Sequence, residues 1–246
     1  MEHNLTNRLR KYKIDYYGIS NKSVEWLSHF NISAKGVLPN AINAEEFTKS
    51  ASKRNIRKEL NIGKNEFVVY FVGRFTVEKG VPQLLDVAKK ISNKNNIHFI
   101  FSGKGNLSKK IDKLAKNYNV YNIGSTSTKD VSAIMKSSNI MCLPSRSEGF
   151  CTSLLEACSS KLPSLITHVG GTDELIPNKN YGYIIKTPEP NLLAKKILNI
   201  KNNNNELLNI KEAIYDNVLN NYNWKHTVTK VVKACEQSND KDDERI

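Results

Sequence analysis

From Phe67 onward, short apolar runs alternate with segments whose apolar residues recur at helical spacing, and that order specifies a parallel sheet covered by helices. The first run is Phe67 to Val72, closed by Gly73-Arg74 and a turn ending at Gly80. Pro82 then opens a helix at the position proline prefers, with Leu84, Leu85, Ala88 and Ile91 on one face. Ile97 to Phe101 predicts a second strand, Leu107 to Tyr118 a helix, and Val120 to Ile123 a third strand. Val131 to Met135 reads as a short helix, Ile140 to Leu143 as a fourth strand, and Thr152 to about Ser160 as another helix. Leu165 to Val169 and Tyr181 to Ile185 supply the last strands. The fold class is α/β: a doubly wound, Rossmann-like parallel sheet with closing C-terminal helices.

The two ends differ from this middle. Residues 191–236 carry only helical patterns, interrupted by Asn202 to Asn205, and 237–246 reads as a disordered tail. Leu5, Leu9 and Tyr12 fit one helix face near the start. Ile14 to Ser20 follows as a lone strand candidate, then a helix through Val24, Leu27 and Phe30. One strand without partners is not a domain, so residues 1–40 read as the remnant of another unit. A linker near residues 39–65 would join it to a main domain at 41–236.

Composition narrows the classes. At 246 residues with 39% apolar content, the chain has enough apolar surface for a sizeable core, which excludes disorder throughout. No stretch reaches the ~18 uncharged residues of a membrane span. Cys142, Cys151, Cys158 and Cys235 lack metal-ligand spacing and sit in apolar patterns, the usage of buried thiols in a reducing compartment, so the expected location is cytoplasmic. The formal charge is +13, but the Lys and Arg are scattered, with no interleaved aromatics of an RNA-reading sheet, and no nucleic-acid partner is expected. The densest cations, Lys53, Arg54, Arg57 and Lys58, suit at most a peripheral contact with anionic lipid at the inner face of a membrane.

In a doubly wound sheet, ligands bind outside the carboxyl ends of the strands, and the unusual residues gather there. After the first strand, Arg74 and Lys79 stand five residues apart, a spacing that lets both reach one diphosphate across a turn; taken alone they are also readable as ordinary loop cations. Ser102-Gly103-Lys104-Gly105 is a turn whose backbone can approach a ligand. The segment Leu143 to Ala157 runs from a strand into a helix, so Gly149 to Thr152 offer unpaired amides and the positive end of a helix dipole. Glu148 and Glu156 flank that terminus, and a carboxylate accepting two hydrogen bonds suits a vicinal diol such as ribose. The bland alternatives are a dipole-stabilising Glu148 and a solvated Glu156.

With these segments in order, the sequence resembles the donor-binding, C-terminal half of the family 4 retaining glycosyltransferases, the glycosyl transferase group 1 enzymes of the GT-B fold. The resemblance rests on Val72-Gly-Arg74 with Glu78-Lys-Gly80, Ser102-Gly-Lys-Gly105, Leu143-Pro-Ser145, Glu148-Gly-Phe150 with Leu154-Leu-Glu-Ala157, Gly170-Gly171 with Asp173-Glu174, and Leu38-Pro-Asn40. It implies that Arg74 and Lys79 hold the donor diphosphate, Glu156 the ribose and Glu148 the transferred sugar. Gly73, Gly103, Gly149, Phe150, Cys151 and Thr152 would line the nucleotide-sugar site, and Trp224 would pack among the closing helices. Ala41 and Cys151 stand where relatives often have glycine, and the acceptor-binding N-terminal domain is almost wholly absent.

The implied activity is transfer of a sugar from a UDP- or GDP-sugar with retention, in assembly of a cell-surface polysaccharide or glycolipid. The acceptor would be a saccharide or a lipid-linked acceptor, and a separate polypeptide is one source for the acceptor-binding half. No cofactor and no divalent metal are expected, the sole Asp-x-Asp string being Asp240-Lys241-Asp242. None of the five histidines replaces the missing domain's, and His168 reads as a loop residue. The alternatives are a nucleotide-sugar epimerase of the same architecture and a non-catalytic module that binds nucleotide-sugar or a partner.

Overall fold

The computed structural model describes residues 14–243; the helix expected around Leu5 to Tyr12 lies outside them. Six strands form one parallel sheet: β3 (Phe67–Val72), β4 (Ile97–Ser102), β5 (Val120–Asn122), β6 (Ile140–Leu143), β7 (Ser164–Thr167) and β8 (Tyr183–Ile185). Their order across the sheet is β5-β4-β3-β6-β7-β8, so the chain builds outward from β3 in one direction, then returns to β6 and builds outward in the other. Val68, Tyr70, Phe71, Ile97, Phe99, Ile100, Phe101, Ile140 and Leu165 are all shut off from solvent. Unbroken apolar strands of this kind are what a sheet covered on both faces requires. The covering helices are α4 (Val81–Ile91), α5 (Ser108–Ala115), α6 (Thr128–Lys136), α7 (Thr152–Ser159), α8 (Thr172–Leu175), α9 (Pro190–Lys201) and α10 (Asn204–Asn221), and α11 (Trp224–Asp243) closes the chain.

One detail of register creates the crevice. β3 pairs with β4 along six residues, Phe67↔Ile97 through Val72↔Ser102, but with β6 only at Val69↔Ile140 and Tyr70↔Met141. Beyond those pairs β3 and β6 part, at the point where the strand order reverses, and there a doubly wound sheet presents its ligand-binding cleft.

Several expectations are corrected. The Ile14 to Ser20 strand is not alone: β1 (Tyr16–Gly18) pairs in parallel with β2 (Ala34–Val37) across α1 (Asn21–Ser28), Tyr16 facing Ala34 and Gly18 facing Val37, with a register shift between Tyr16 and Tyr17. The short, glycine-containing Ala34–Val37 has too little apolar alternation to announce itself as a strand. Residues 39–65 are not a free linker, because α2 (Ala44–Lys49) and α3 (Ile56–Glu59) seat Phe47 and Ile56 in the core and Ile62 follows them there just after α3. Two of the four cations at 53–58 are committed within the fold: Arg54 binds Glu59 through Nε and Nη2 at 2.9 to 3.1 Å, and Arg57 donates to the Ser137 carbonyl at 2.8 Å and to Asn139. Trp224 does not pack inside; it is 56% exposed, and Tyr222 takes the buried place two residues earlier. Cys235 is exposed, unlike Cys142, Cys151 and Cys158. The helical backbone of α11 runs to Asp243, past residue 237 where fraying is expected, since no Gly or Pro interrupts it. No helix among the described residues is long and apolar enough to cross a membrane.

Candidate functional site

Four turns meet at the carboxyl edge of the sheet, and glycines let them touch. Gly103, at φ +142°, lies so close to the turn after β3 that a Cβ there would stand 1.9 Å from the Gly73 carbonyl oxygen. Phe75, fully buried, fastens the same two turns: its amide donates to the Lys104 carbonyl at 2.9 Å, and its carbonyl accepts from Leu107 at 3.1 Å. Its ring lies against Phe71 and Phe101, with centroids 6.1 and 6.3 Å away. On the other side of the crevice, the Arg146 amide donates to the Glu78 carbonyl at 2.7 Å, tying the turn after β3 to the turn after β6. Gly170, after β7, packs on the Glu148 and Gly149 carbonyls. Gly73 and Gly103 therefore serve close packing of the rim itself.

The structure brings the charged candidates together. Lys79 Nζ lies 2.7 and 2.6 Å from the two oxygens of Glu148, with 20% and 8% of the two side chains exposed. The two residues are 69 positions apart, so a sequence pattern could not pair them. Ser145 Oγ donates to Glu148 Oε1 at 2.7 Å. Arg74 is exposed on the same turn as Lys79. The Glu78 carboxyl there is held below the usual carboxylate range by its own backbone amide, with the Arg74 and Arg146 guanidinium groups adding to the effect.

Beside this pair α7 begins. Cys151 is its N-cap and offers no side-chain cap, while its carbonyl accepts from Leu154 and Leu155. Among the described residues, none of the five backbone amides from Gly149 to Ser153 donates to the protein. Five unpaired donors at the positive end of a helix make a cradle for an anion or for sugar hydroxyls. The side chains of Phe150 and Cys151 point elsewhere. Phe150 is buried with its ring centroid 5.9 Å from that of Tyr222, and burial pushes the Cys151 thiol up to about 12, so both residues reach a ligand through backbone alone.

One turn along α7, Glu156 is partly buried, and among the described residues no donor or cation meets its carboxylate. Burial lifts its pKa to about 6. A desolvated carboxylate without a partner is expensive to keep, and such groups concentrate at binding sites. At the neighbouring strand end His168 is exposed, its Nε2 3.1 Å from Asp173 Oδ2 and 3.2 Å from Lys22 Nζ. No group of three or more His, Cys, Asp or Glu among the described residues is arranged to hold a metal. The residue that motif reading named without a role is Ser145: only its burial and its bond to Glu148 reveal what it does.

The sequence profile described as Glycosyl transferases group 1 matches residues 52–217. An uncharacterized glycosyltransferase of Methanocaldococcus jannaschii is 31% identical over 176 residues, 69% of this chain and 48% of that one. The UDP-Gal:alpha-D-GlcNAc-diphosphoundecaprenol alpha-1,3-galactosyltransferase of Escherichia coli is 29% identical over 214 residues, 75% of this chain and 54% of its own length. Among solved structures, Anabaena HepE in complex with UDP and glucose superposes with a TM-score of 0.82 at 18% identity, over 94% of this chain and 65% of that one. The chain spans about half the length of these two curated relatives.

Proposed function

The chain belongs to the glycosyl transferases group 1 family, and from that premise we propose that it binds the donor of a retaining glycosyl transfer, a UDP- or GDP-sugar, in the crevice between β3 and β6. One observation carries the reading: the Lys79–Glu148 pair, with Arg74 on the same turn, and the five unused amides at the start of α7 lie on turns tied to one another beside the strand-order reversal. Glycosyl transfer is slow because negative charge builds on the departing diphosphate as the anomeric carbon gains positive character. In this reading Arg74, Lys79 and the amides of Gly149 to Ser153 take up that charge, which is the work a divalent metal does in other transferases, and none is required here. Glu148 receives the hydroxyls of the transferred sugar, and Glu156 receives the ribose diol. Residues 1–40 are the remnant of the acceptor-side unit and the crossover to it, the rest of that unit being supplied by a longer polypeptide or by a partner. The acceptor is a saccharide, free or lipid-linked, of the kind used for surface polysaccharides and glycolipids. The names of the relatives support this setting: the Escherichia coli enzyme acts on a diphosphoundecaprenol-linked sugar, and HepE was solved with UDP.

Calorimetry tests the donor site. The 246-residue chain is expected to bind UDP or GDP, and Arg74→Ala to weaken that binding by at least tenfold. Unchanged affinity in the variant would place the diphosphate elsewhere.

Glu156 gives a second, pH-resolved check. The unfolded chain ionises this carboxyl near 4.5 and the folded one near 6, so the burial penalty is absent below the first value and fully present above the second. Glu156→Gln is therefore expected to stabilise the fold by about 2 kcal/mol at pH 8 and by nothing at pH 4. The same variant should bind nucleotide more weakly, and as pH rises through about 6 the wild-type affinity should climb more steeply than the variant's, whose remaining slope comes from the nucleotide's own phosphate. Melting curves at the two pH values, with nucleotide titrations alongside, read both effects.

A further inference from the structure

The Lys79 ammonium, assigned to the diphosphate, is held by both oxygens of Glu148. A diphosphate arriving in the crevice must compete with that carboxylate for the lysine. What happens to Glu148 afterwards depends on its remaining partner. Ser145 is fully buried, its hydroxyl donates to Glu148 Oε1 at 2.7 Å, and its carbonyl is in turn held by the Thr167 hydroxyl from the end of β7. Both ends of Ser145 are thus anchored, one in the sheet and one on the carboxylate.

We propose that Ser145 is a positioning residue that pins Glu148 in place, so that an incoming diphosphate draws Lys79 away while the carboxylate stays behind to receive the sugar. The proposal rests on the donor-site reading above and extends it to a residue that touches no substrate. Hydrogen bonds to charged groups are the strong ones, and Ser145 makes one that neither the diphosphate nor the sugar has to break. Glu148 Oε1 keeps its donor throughout, whereas Oε2 has only Lys79 and becomes free when the lysine moves. Without Ser145 the carboxylate can follow the lysine and continue to neutralise it, which opposes the diphosphate.

The test is a double-mutant cycle on UDP and GDP affinity, measured by calorimetry with wild type, Ser145→Ala, Glu148→Gln and the double variant, each checked for an unchanged fold by its melting curve. Glu148→Gln removes the competing charge and keeps the shape, so it should tighten nucleotide binding by about tenfold. Ser145→Ala should weaken binding by about threefold to tenfold in the wild type and by nothing measurable beside Glu148→Gln, because the serine acts through the charge of that residue. A serine that merely braces the loop would weaken binding equally in both backgrounds, and this equality overturns the proposal. So does a Glu148→Gln variant that binds nucleotide no better than wild type, a result that stands even if Ser145→Ala does not fold. Absence of nucleotide binding by the wild type sinks the donor-site reading itself, whereas binding with a flat cycle sinks only the role given to Ser145.

Discussion

Lys79→Ala is expected to destabilise the folded chain by about 3 kcal/mol, because it leaves the Glu148 carboxylate, 8% exposed, without its cation. The figure sits at the low end for a broken buried pair, since Ser145 still donates to one oxygen and the lysine side chain is 20% exposed. Under the donor-site proposal the same change also removes a cation from the diphosphate, so nucleotide affinity should fall by at least tenfold in parallel. Urea unfolding separates the two losses. Lys79→Ala combined with Glu148→Gln should recover most of the stability, as removing both charges leaves nothing unpaired, yet none of the nucleotide binding that depends on the lysine. A Lys79→Ala variant that unfolds within 1 kcal/mol of wild type, on the order of a single net hydrogen bond, would show the pair to be screened by water and of no structural weight.

Gly80→Ala should be comparably damaging for a different reason. Gly80 sits at φ +73°, and a Cβ there would come 2.0 Å from the Pro144 carbonyl oxygen, part of the backbone of the facing turn. The left-handed conformation alone costs an alanine roughly 1 to 2 kcal/mol. The overlap must in addition be relieved by moving one turn off the other, which brings the expected loss to about 3 kcal/mol or more. The neighbouring Lys79 would move with it. Gly124 supplies the control: it has φ +70° with nothing within 4 Å of a built Cβ, so Gly124→Ala should show only the conformational part, about 1 kcal/mol. Equal losses at the two glycines, measured by urea unfolding, would show that the contact with Pro144 carries no energy.

How much of this was legible beforehand varies with the range of the signal. Phe67–Val72 and Ile140–Leu143 occupy the residues their apolar runs indicated, because a strand buried on both faces writes its identity into adjacent positions. The four other sheet strands were located with ends off by one or two residues: β4 runs on to Ser102, Asn122 closes β5, Ser164–Thr167 forms β7, and β8 starts at Tyr183 rather than Tyr181. The pairing of β1 with β2 was not legible, since Ala34–Val37 carries one glycine, one lysine and no alternation. The segment at 39–65 read as polar linker because its core contacts come from isolated residues, Phe47, Ile56 and Ile62, rather than from a run. The site divides in the same way. Single positions such as Arg74, Lys79, Glu148 and Glu156 were visible as unusual residue types at strand ends. The Lys79 to Glu148 contact, the anchoring of Ser145 and the mutual packing of Gly73 and Gly103 are products of the fold, and neither composition nor spacing encodes them.

The interlocking of the turns bears on how fast a ligand could enter. Phe75 fastens one pair of turns, and Gly80 and Gly170 are wedged against carbonyls of the others, so among the described residues these four turns are locked to one another. Under the donor-site proposal these turns stay put and the Lys79 side chain swings, a nanosecond event, so capture of nucleotide by this chain should follow a single exponential whose rate grows in proportion to concentration.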